Sequence, residues 1–312
     1  FNAQTVKATE GLSVRILRQI TASMAGVPDV KSVSLEYSGS PQGQAQVPLR
    51  STLLSPTGYD SAVVIRDGVL GALQGNGLAP IVGLSASVLA LSPSAVTLSS
   101  DRTVAVVNAV AGVYRVRNAA RGTLIDSRAR LIPASIDPQS FVWSVPSNRP
   151  TEVRVTGLAG ISRTIRAPWS SATKISFLSI EPDGTRLVAG YYTPNGPKIC
   201  VASIRRGDDR WPKNIGECLY LPAPDGLLLS AAWIDATRVG ILASTKTVSL
   251  RLATVGGLYQ DSAAPVGSTS VASDGALLAP RVLTNYGELY VQQSPNRWSV
   301  ISDKVALLGT GQ

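Results

Sequence analysis

The 312-residue chain contains no histidine. That absence removes Ser-His-Asp and Cys-His triads, imidazole proton shuttles and most zinc or iron sites in one step. The two cysteines, Cys200 and Cys218, cannot build a four-thiolate metal site by themselves. No apolar run reaches the roughly 18 residues that a membrane-spanning helix needs. Aromatic residues make up only 5% of the chain and are not interleaved with basic ones, so a nucleic-acid partner is not expected. The glycine clusters Gly75-Asn76-Gly77 and Gly256-Gly257 have no helix after them and read as turns, not phosphate loops. The chain opens FNAQTVKATEG, with neither a charged-then-apolar leader pattern nor an initiator Met. It is therefore expected to be a trimmed piece of something longer.

What is plentiful points to strands. Hydrophobic residues make up 44% of the chain, there are 28 Gly and 20 Pro, and Val, Thr, Ser, Ala and Leu abound while Lys and Glu are sparse. This composition suits many short strands joined by turns. The net charge is +9, which draws a protein of this size toward anionic surfaces. The excess is mostly Arg spread singly along the chain. Its densest patch, Arg205-Arg206, is followed by Asp208, Asp209 and Arg210; the two aspartates are either ligands or, as the flanking arginines favour, local ion-pair partners worth on the order of 0 to 1 kcal/mol.

Residues 1–41 read differently from the remainder. Between Glu10 and Ala25, Leu12, Ile16, Ile20 and Met24 recur at helical spacing, and Gly26 and Pro28 end the run. Val30 to Tyr37 then places Val33 and Leu35 on one side of a strand and Ser32, Ser34 and Glu36 on the other. Ser38 to Gln44 has the composition of a linker. One helix and one strand cannot form a core, so the segment reads as a cap or the tail of another domain.

From residue 42 to 312 the chain repeats. Turn signals at Thr57, Asp101, Asp137, Asp183, Asp235 and Asp274 each precede an apolar run, at intervals of 44, 36, 46, 52 and 39 residues. The clearest unit is FLSIEPDGTRLVAGYY, residues 177–192, where Pro182 pre-sets one turn dihedral and Gly184 supplies a positive one. The unit is read as KISFLSI, then TRLVAGYY, the TPNGP turn, KICVASI, a polar loop RRGDDRWPKNIGE and a closing strand CLYLP. Four strands per 40 to 50 residues is the period of a β-propeller blade. The expectation is an all-β chain with a six-bladed β-propeller of four-stranded blades, preceded by the short helix-strand segment. A β-sandwich pair holds as many strands but does not predict a recurring turn. Blade three is the weakest, because Pro146 and Pro150 interrupt it. Ring closure is open between Val47 to Leu54 and Lys304 to Leu308.

The candidate chemistry divides into open alternatives. Asp101, Asp137, Asp183, Asp235 and Asp274 are either carboxylates gathered at one mouth of the ring, for calcium or paired acid catalysis, or turn formers accepting backbone bonds. The second reading is favoured, since each turn offers one carboxylate. Cys200 and Cys218 sit on adjacent strands of the fourth unit and are read as a candidate disulfide, with two buried thiols as the alternative. Trp143, Trp169, Trp211, Trp233 and Trp298 either stack sugars or pack blades. Trp233 reads as core, and Trp211, in the charged loop, is the candidate exposed binding residue. No catalytic, cofactor or metal residue is assigned.

The order of these units resembles a known family. ITASMAGVPDVKSVSLEYSG looks like the closing helix and strand of a GerMN domain. FLSIEPDGTRLVAGYY, LLSAAWIDATRVGILA and PQSFVWSV resemble blades of the LpqB lipoproteins of actinobacteria. The resemblance implies a non-enzymatic lipoprotein propeller on the extracytoplasmic face of the cell membrane, its lipid anchor absent from this sequence. It further implies association with the MtrA–MtrB two-component system through the extracytoplasmic part of the sensor histidine kinase. The alternative is a propeller that binds or hydrolyses cell-wall glycans.

Overall fold

A computed structural model describes residues 17, 20–21, 31–37, 40–46, 62–75, 77–117, 120–273 and 279–311. The chain divides into two compact units, Phe1–Ser55 and Pro56–Gln312.

In the first unit Leu17, Ile20 and Thr21 are helical, and the Thr21 hydroxyl donates to the Leu17 carbonyl at 2.7 Å. Strand β1 (Ser32–Tyr37) alternates as expected, with Val33 and Leu35 half-buried and Ser32, Ser34 and Glu36 exposed. The segment read as a linker is different: β2 (Ser40–Gln46) pairs antiparallel with β1 across a bulge at Leu35/Glu36. Its polar composition fits a hairpin arm as well as a linker, so composition misreads it. The expected start of the repeats at residue 42 thus falls inside a strand.

The second unit is a six-bladed β-propeller. Strands β3 (Val63–Arg66), β4 (Val69–Gln74) and β5 (Gly77–Pro80) form three strands of blade 1. A short helix, Ser85–Leu89, leads to blade 2: β6 (Ala95–Leu98), β7 (Val104–Ala109), β8 (Gly112–Arg117) and β9 (Thr123–Asp126). Blade 3 is β10 (Ser135–Ile136), β11 (Val142–Ser144), β12 (Glu152–Thr156) and β13 (Ser162–Arg166). Blade 4 is β14 (Lys174–Ile180), β15 (Arg186–Thr193), β16 (Gly196–Arg206) and β17 (Pro212–Ile215), with β18 (Leu219–Leu221) also on β16. Blade 5 is β19 (Leu227–Trp233), β20 (Arg238–Ser244), β21 (Val248–Thr254) and β22 (Tyr259–Ala263). Blade 6 is β23 (Ser268–Ser273), β24 (Pro280–Thr284), β25 (Leu289–Ser294) and β26 (Arg297–Ser302).

The C-terminus closes the ring. Strand β27 (Val305–Leu308) pairs antiparallel with β3 and becomes the inner strand of blade 1. Beyond it, β28 (Thr310–Gly311) adds in parallel to β6 of blade 2. The other closure candidate, Val47 to Leu54, lies outside the described residues, as do the turn signals at Thr57 and Asp274.

Neighbouring blades cover both faces of each middle strand. This is why β7, β15 and β20 read as continuous apolar runs with five consecutive buried residues each, and not as alternating strands. The outer strands β13 and β22 keep one buried residue apiece, Ile165 and Ser262. Six buried apolar clusters fill the six seams between blades. Near the axis, inner-strand hydroxyls tie one blade to the next. Thr97 Oγ1 donates to the Ala134 carbonyl at 2.8 Å, the Ile180 N–H donates to Ser135 Oγ at 3.2 Å, and the Val271 N–H donates to Ser230 Oγ at 3.3 Å.

Blade 4 corrects one reading. CLYLP is not a fourth strand following a loop, since part of that loop is itself a strand. The two short segments β17 and β18 share one edge of the long β16, pairing with Ile204–Arg206 and Ile199–Val201 respectively. The break between them holds Cys218, bonded to Cys200 on β16 with a Cα–Cα distance of 5.2 Å.

Candidate functional site

Antiparallel strands running from the axis outward put the turns between first and second strands on one rim, together with those between third and fourth. The remaining turns and the blade-to-blade connections lie on the other rim. The first is here the aspartate rim, the second the far rim.

On the aspartate rim each described turn aspartate accepts the backbone N–H two residues on: Thr103 to Asp101 at 3.1 Å, Gln139 to Asp137 at 3.1 Å, Thr185 to Asp183 at 2.8 Å and Thr237 to Asp235 at 2.7 Å. Three of these turns add a threonine hydroxyl to the same carboxylate. Gly184 has φ +73°, the positive dihedral that the EPDG turn demands. The carboxylates are thus spent on the backbone, one to a blade. Among the described residues, no three of Asp, Glu, Cys or His gather as a metal site would require.

Asp137 does more than form a turn. Its side chain is fully buried and also accepts from the Phe141 N–H at 2.9 Å, from Trp143 Nε1 at 3.1 Å and from Arg206 of blade 4 at 2.7 Å. The sequence expected Arg206 to pair with the aspartates beside it. Instead it reaches across the seam, while Asp209 takes Arg163 of blade 3 at 3.3 Å. The aspartates sit at the loop's tip and Arg206 at its base, so each meets blade 3 and not the other. Glu181 and Arg186 form a two-pronged ion pair, with Nε to Oε2 at 2.6 Å, and Arg186 also donates to the Ala236 carbonyl of blade 5. Hydrogen bonding to Glu181 holds the Arg186 guanidinium above its ordinary pKa.

The seam between blades 2 and 3 carries a buried network that no motif announces. Asp126, at the end of β9, accepts from Arg128 Nη2 at 2.7 Å, Arg154 Nη1 at 3.0 Å and Ser144 Oγ at 2.6 Å. Burial would raise the Asp126 carboxyl, but the bonds from Arg128 and Ser144 outweigh it and hold the pKa below its usual value. Nearby, Arg115 donates to the carbonyls of Thr156, Gly157 and Leu158. Burial, with the Arg117 charge behind it, lowers the Arg115 pKa.

The tryptophans largely pack blades. Trp143, Trp169 and Trp233 are at most 4% exposed, Trp169 stacks on Tyr191 with ring centroids 5.6 Å apart, and Trp298 Nε1 donates to the Ala263 carbonyl. Trp211, the candidate binding residue, is half-buried. Its ring lies 4.6 Å from that of Phe141, and the Arg163 guanidinium sits 4.3 Å over it. Gly157 allows this approach, since a Cβ there would stand 2.8 Å from Trp211 Cζ2. At the axis the inner strands enclose a channel of about 100 Å³, lined by Phe177, Trp233, the aliphatic Leu178, Ile180 and Leu229, and otherwise by proline, alanine and hydroxyl-bearing residues, without a charged side chain.

Two further surface features escaped sequence reading. On the far rim, Val110 of the β7–β8 turn, Val82 between blades 1 and 2, Val266 between blades 5 and 6, and Tyr286 of the β24–β25 turn are 105%, 94%, 81% and 69% exposed. They form an arc of apolar residues over adjoining blades 6, 1 and 2, which only closure of the ring brings together, interspersed with exposed Asp67, Asp303 and Lys304 on the same rim. The second feature is charge. Residues 128–221, running through blades 3 and 4, hold 13 Lys and Arg against 7 Asp and Glu, whereas residues 222–312 hold 6 of each.

The comparisons agree with this architecture. A chain in the crystal structure of a nidogen/laminin complex is matched with a TM-score of 0.57 at 10% identity, over 80% of this chain and 97% of that one. TolB from Acinetobacter baumannii is matched with the same TM-score at 11% identity, over 80% of this chain and 66% of that one. At such identities the likeness is one of fold alone. No curated protein sequence matches the chain. The sequence model of the lipoprotein LpqB beta-propeller domain matches residues 68–306, most of the six-bladed ring, and the chain therefore belongs to that family.

Proposed function

We propose that this propeller is a non-enzymatic, extracytoplasmic protein-interaction module of a membrane-anchored lipoprotein, and that its partner is the extracytoplasmic part of a two-component sensor kinase. The apolar arc of Val82, Val110, Val266 and Tyr286 on the far rim is the observation that carries the interaction reading. Monomeric surfaces expose single apolar residues commonly, but several nearly fully exposed ones on adjoining loops of one rim mark a docking site. Family membership supports the lipoprotein reading and the extracytoplasmic location. Among the described residues no helix is long and apolar enough to cross a membrane. The turn carboxylates, engaged by backbone N–H groups, are poorly placed for acid-base work, which favours binding over catalysis. The glycan reading loses support for a related reason, since Trp143, Trp169 and Trp233 are core residues and Trp211 is half-buried with Arg163 over its ring.

The test is binding of the 312-residue chain to the purified extracytoplasmic domain of the sensor kinase, measured by calorimetry. Val110→Asp with Tyr286→Asp should weaken binding at least about tenfold, as loss of a central apolar anchor does. No measurable binding by the unmodified chain would overturn the kinase assignment. Undiminished binding by the double variant would move the site off the far rim.

A further inference from the structure

The aspartate rim of blades 2 to 4 has a composition that none of the packing explains. Two tips stand next to each other there, joined by Trp211. One is the β12–β13 turn, whose Leu158 and Ile161 are 49% and 60% exposed. The other is the β16–β17 loop, with Arg205 and Arg210 exposed and Lys213 just after it. Arg163, half-exposed, covers Trp211 between the tips. The corresponding loop of blade 2 adds exposed Arg117 and Arg121. Against these six cations stand Asp101 and Asp183, engaged by their own turns, Asp209, paired with Arg163, and Asp208. The same rim in blades 5, 6 and 1 offers only Arg238, paired with Asp235, and Arg297 among its described turns.

We propose that this rim docks on an anionic phospholipid surface, with Arg117, Arg121, Arg205, Arg210 and Lys213 among the headgroups and Leu158 and Ile161 entering the acyl boundary. Aliphatic side chains at a protruding tip ringed by Arg and Lys are what an interfacial site uses, because apolar burial and headgroup attraction add. A single-stranded nucleic acid would call for an exposed aromatic face, and Trp211 is half-buried, with Phe141 tilted against it and Arg163 over its ring. The proposal rests on this rim alone and is independent of the kinase reading, which concerns the opposite rim. Together the two place the apolar arc pointing away from the bilayer.

Sedimentation with vesicles tests it, using the 312-residue chain. Phosphatidylcholine vesicles carrying about 30% phosphatidylglycerol should bind it at low salt and release it near 0.5 M salt, where screening reaches within a few ångströms. Pure phosphatidylcholine should not bind. Arg205→Ala with Lys213→Ala should lower affinity about 20- to 30-fold. Leu158→Ser with Ile161→Ser should lower it about tenfold even at low salt. Lys246→Ala with Arg297→Ala, on blades 5 and 6, should change it less than about twofold, and unchanged melting temperatures show that each variant is folded. Absence of binding to the anionic vesicles overturns the proposal. So does equal loss in the blade 5 and 6 control. So, too, does binding to soluble polyglutamate as tight as to vesicles with no effect of the serine pair, which would assign the rim to an acidic protein partner.

Discussion

The seams on the two sides of blade 3 solve one packing problem in opposite ways. Toward blade 2 the buried apolar cluster is small, built of Val104, Val106, Val113, Ala134, Ile136 and Val142. The space is filled by Arg115, Arg128 and Arg154 around Asp126 and three backbone carbonyls. Toward blade 4 the cluster is the largest among the described residues and includes Trp143, Trp169 and Tyr191, with the ion pairs Asp137–Arg206 and Asp209–Arg163 at its rim. Blade 3 has the shortest inner strands of the ring, two residues in β10 and three in β11. Short strands provide few side chains, so one seam must import long ones. Arginine serves because its stem packs while its head finds carbonyls and carboxylates. The difference teaches that equivalent interfaces of a repeat fold can be closed either by apolar volume or by a buried polar network, here one that leaves Arg115 Nε without a partner among the described residues.

That contrast can be broken, most strongly at Asp126. Asp126→Ala strands Arg128 and Arg154 against a buried seam and should cost about 3 to 5 kcal/mol in denaturant unfolding. A cost under about 1 kcal/mol would show that water already reaches the network. On the apolar side, Leu187→Ala should cost about 2 to 4 kcal/mol, measured in the same way. Reducing the Cys200–Cys218 bond, which spans 18 residues in sequence, should cost roughly 3 kcal/mol, read as a lowered melting temperature in dithiothreitol.

Acid sharpens the comparison. The Asp126 pKa is depressed in the folded state, so its stabilisation is complete above the unfolded value of about 3.9 and is lost as pH falls through the folded value. Stability should therefore decline below about pH 4. Asp126→Asn, less stable at neutral pH, should show a shallower decline over that range, whereas Leu187→Ala should keep the wild-type slope. At the small end, the exposed pair of Arg163 and Asp209 should show a coupling of at most about 1 kcal/mol in a double-mutant cycle. A larger value would mean that Arg163 holds the two tips together through Trp211.

Much of this was legible in the chain and some was not, for identifiable reasons. The Asp-centred turns are local: a carboxylate that bonds the N–H two residues on leaves its mark within four residues, so the blades could be counted from them. Gly184 announced its own dihedral. The polar segment 40–46 misled because strand pairing, and not composition, makes it a strand. Arg206 and Asp209 misled because neighbours in sequence are not neighbours across a seam. Trp211 was visible as an aromatic in a charged loop, but its contacts with Phe141 and Arg163 come from another blade.

By itself the sequence determined the class of fold, its repeat and the number of units, since hydrophobic runs and turn chemistry are short-range properties of the chain. Only the tertiary structure decided which strand closes the ring, which arginine meets which carboxylate, and which exposed residues share a rim. Those depend on contacts between residues tens to hundreds of positions apart, such as β27 with β3, which a circular fold creates at the moment it closes.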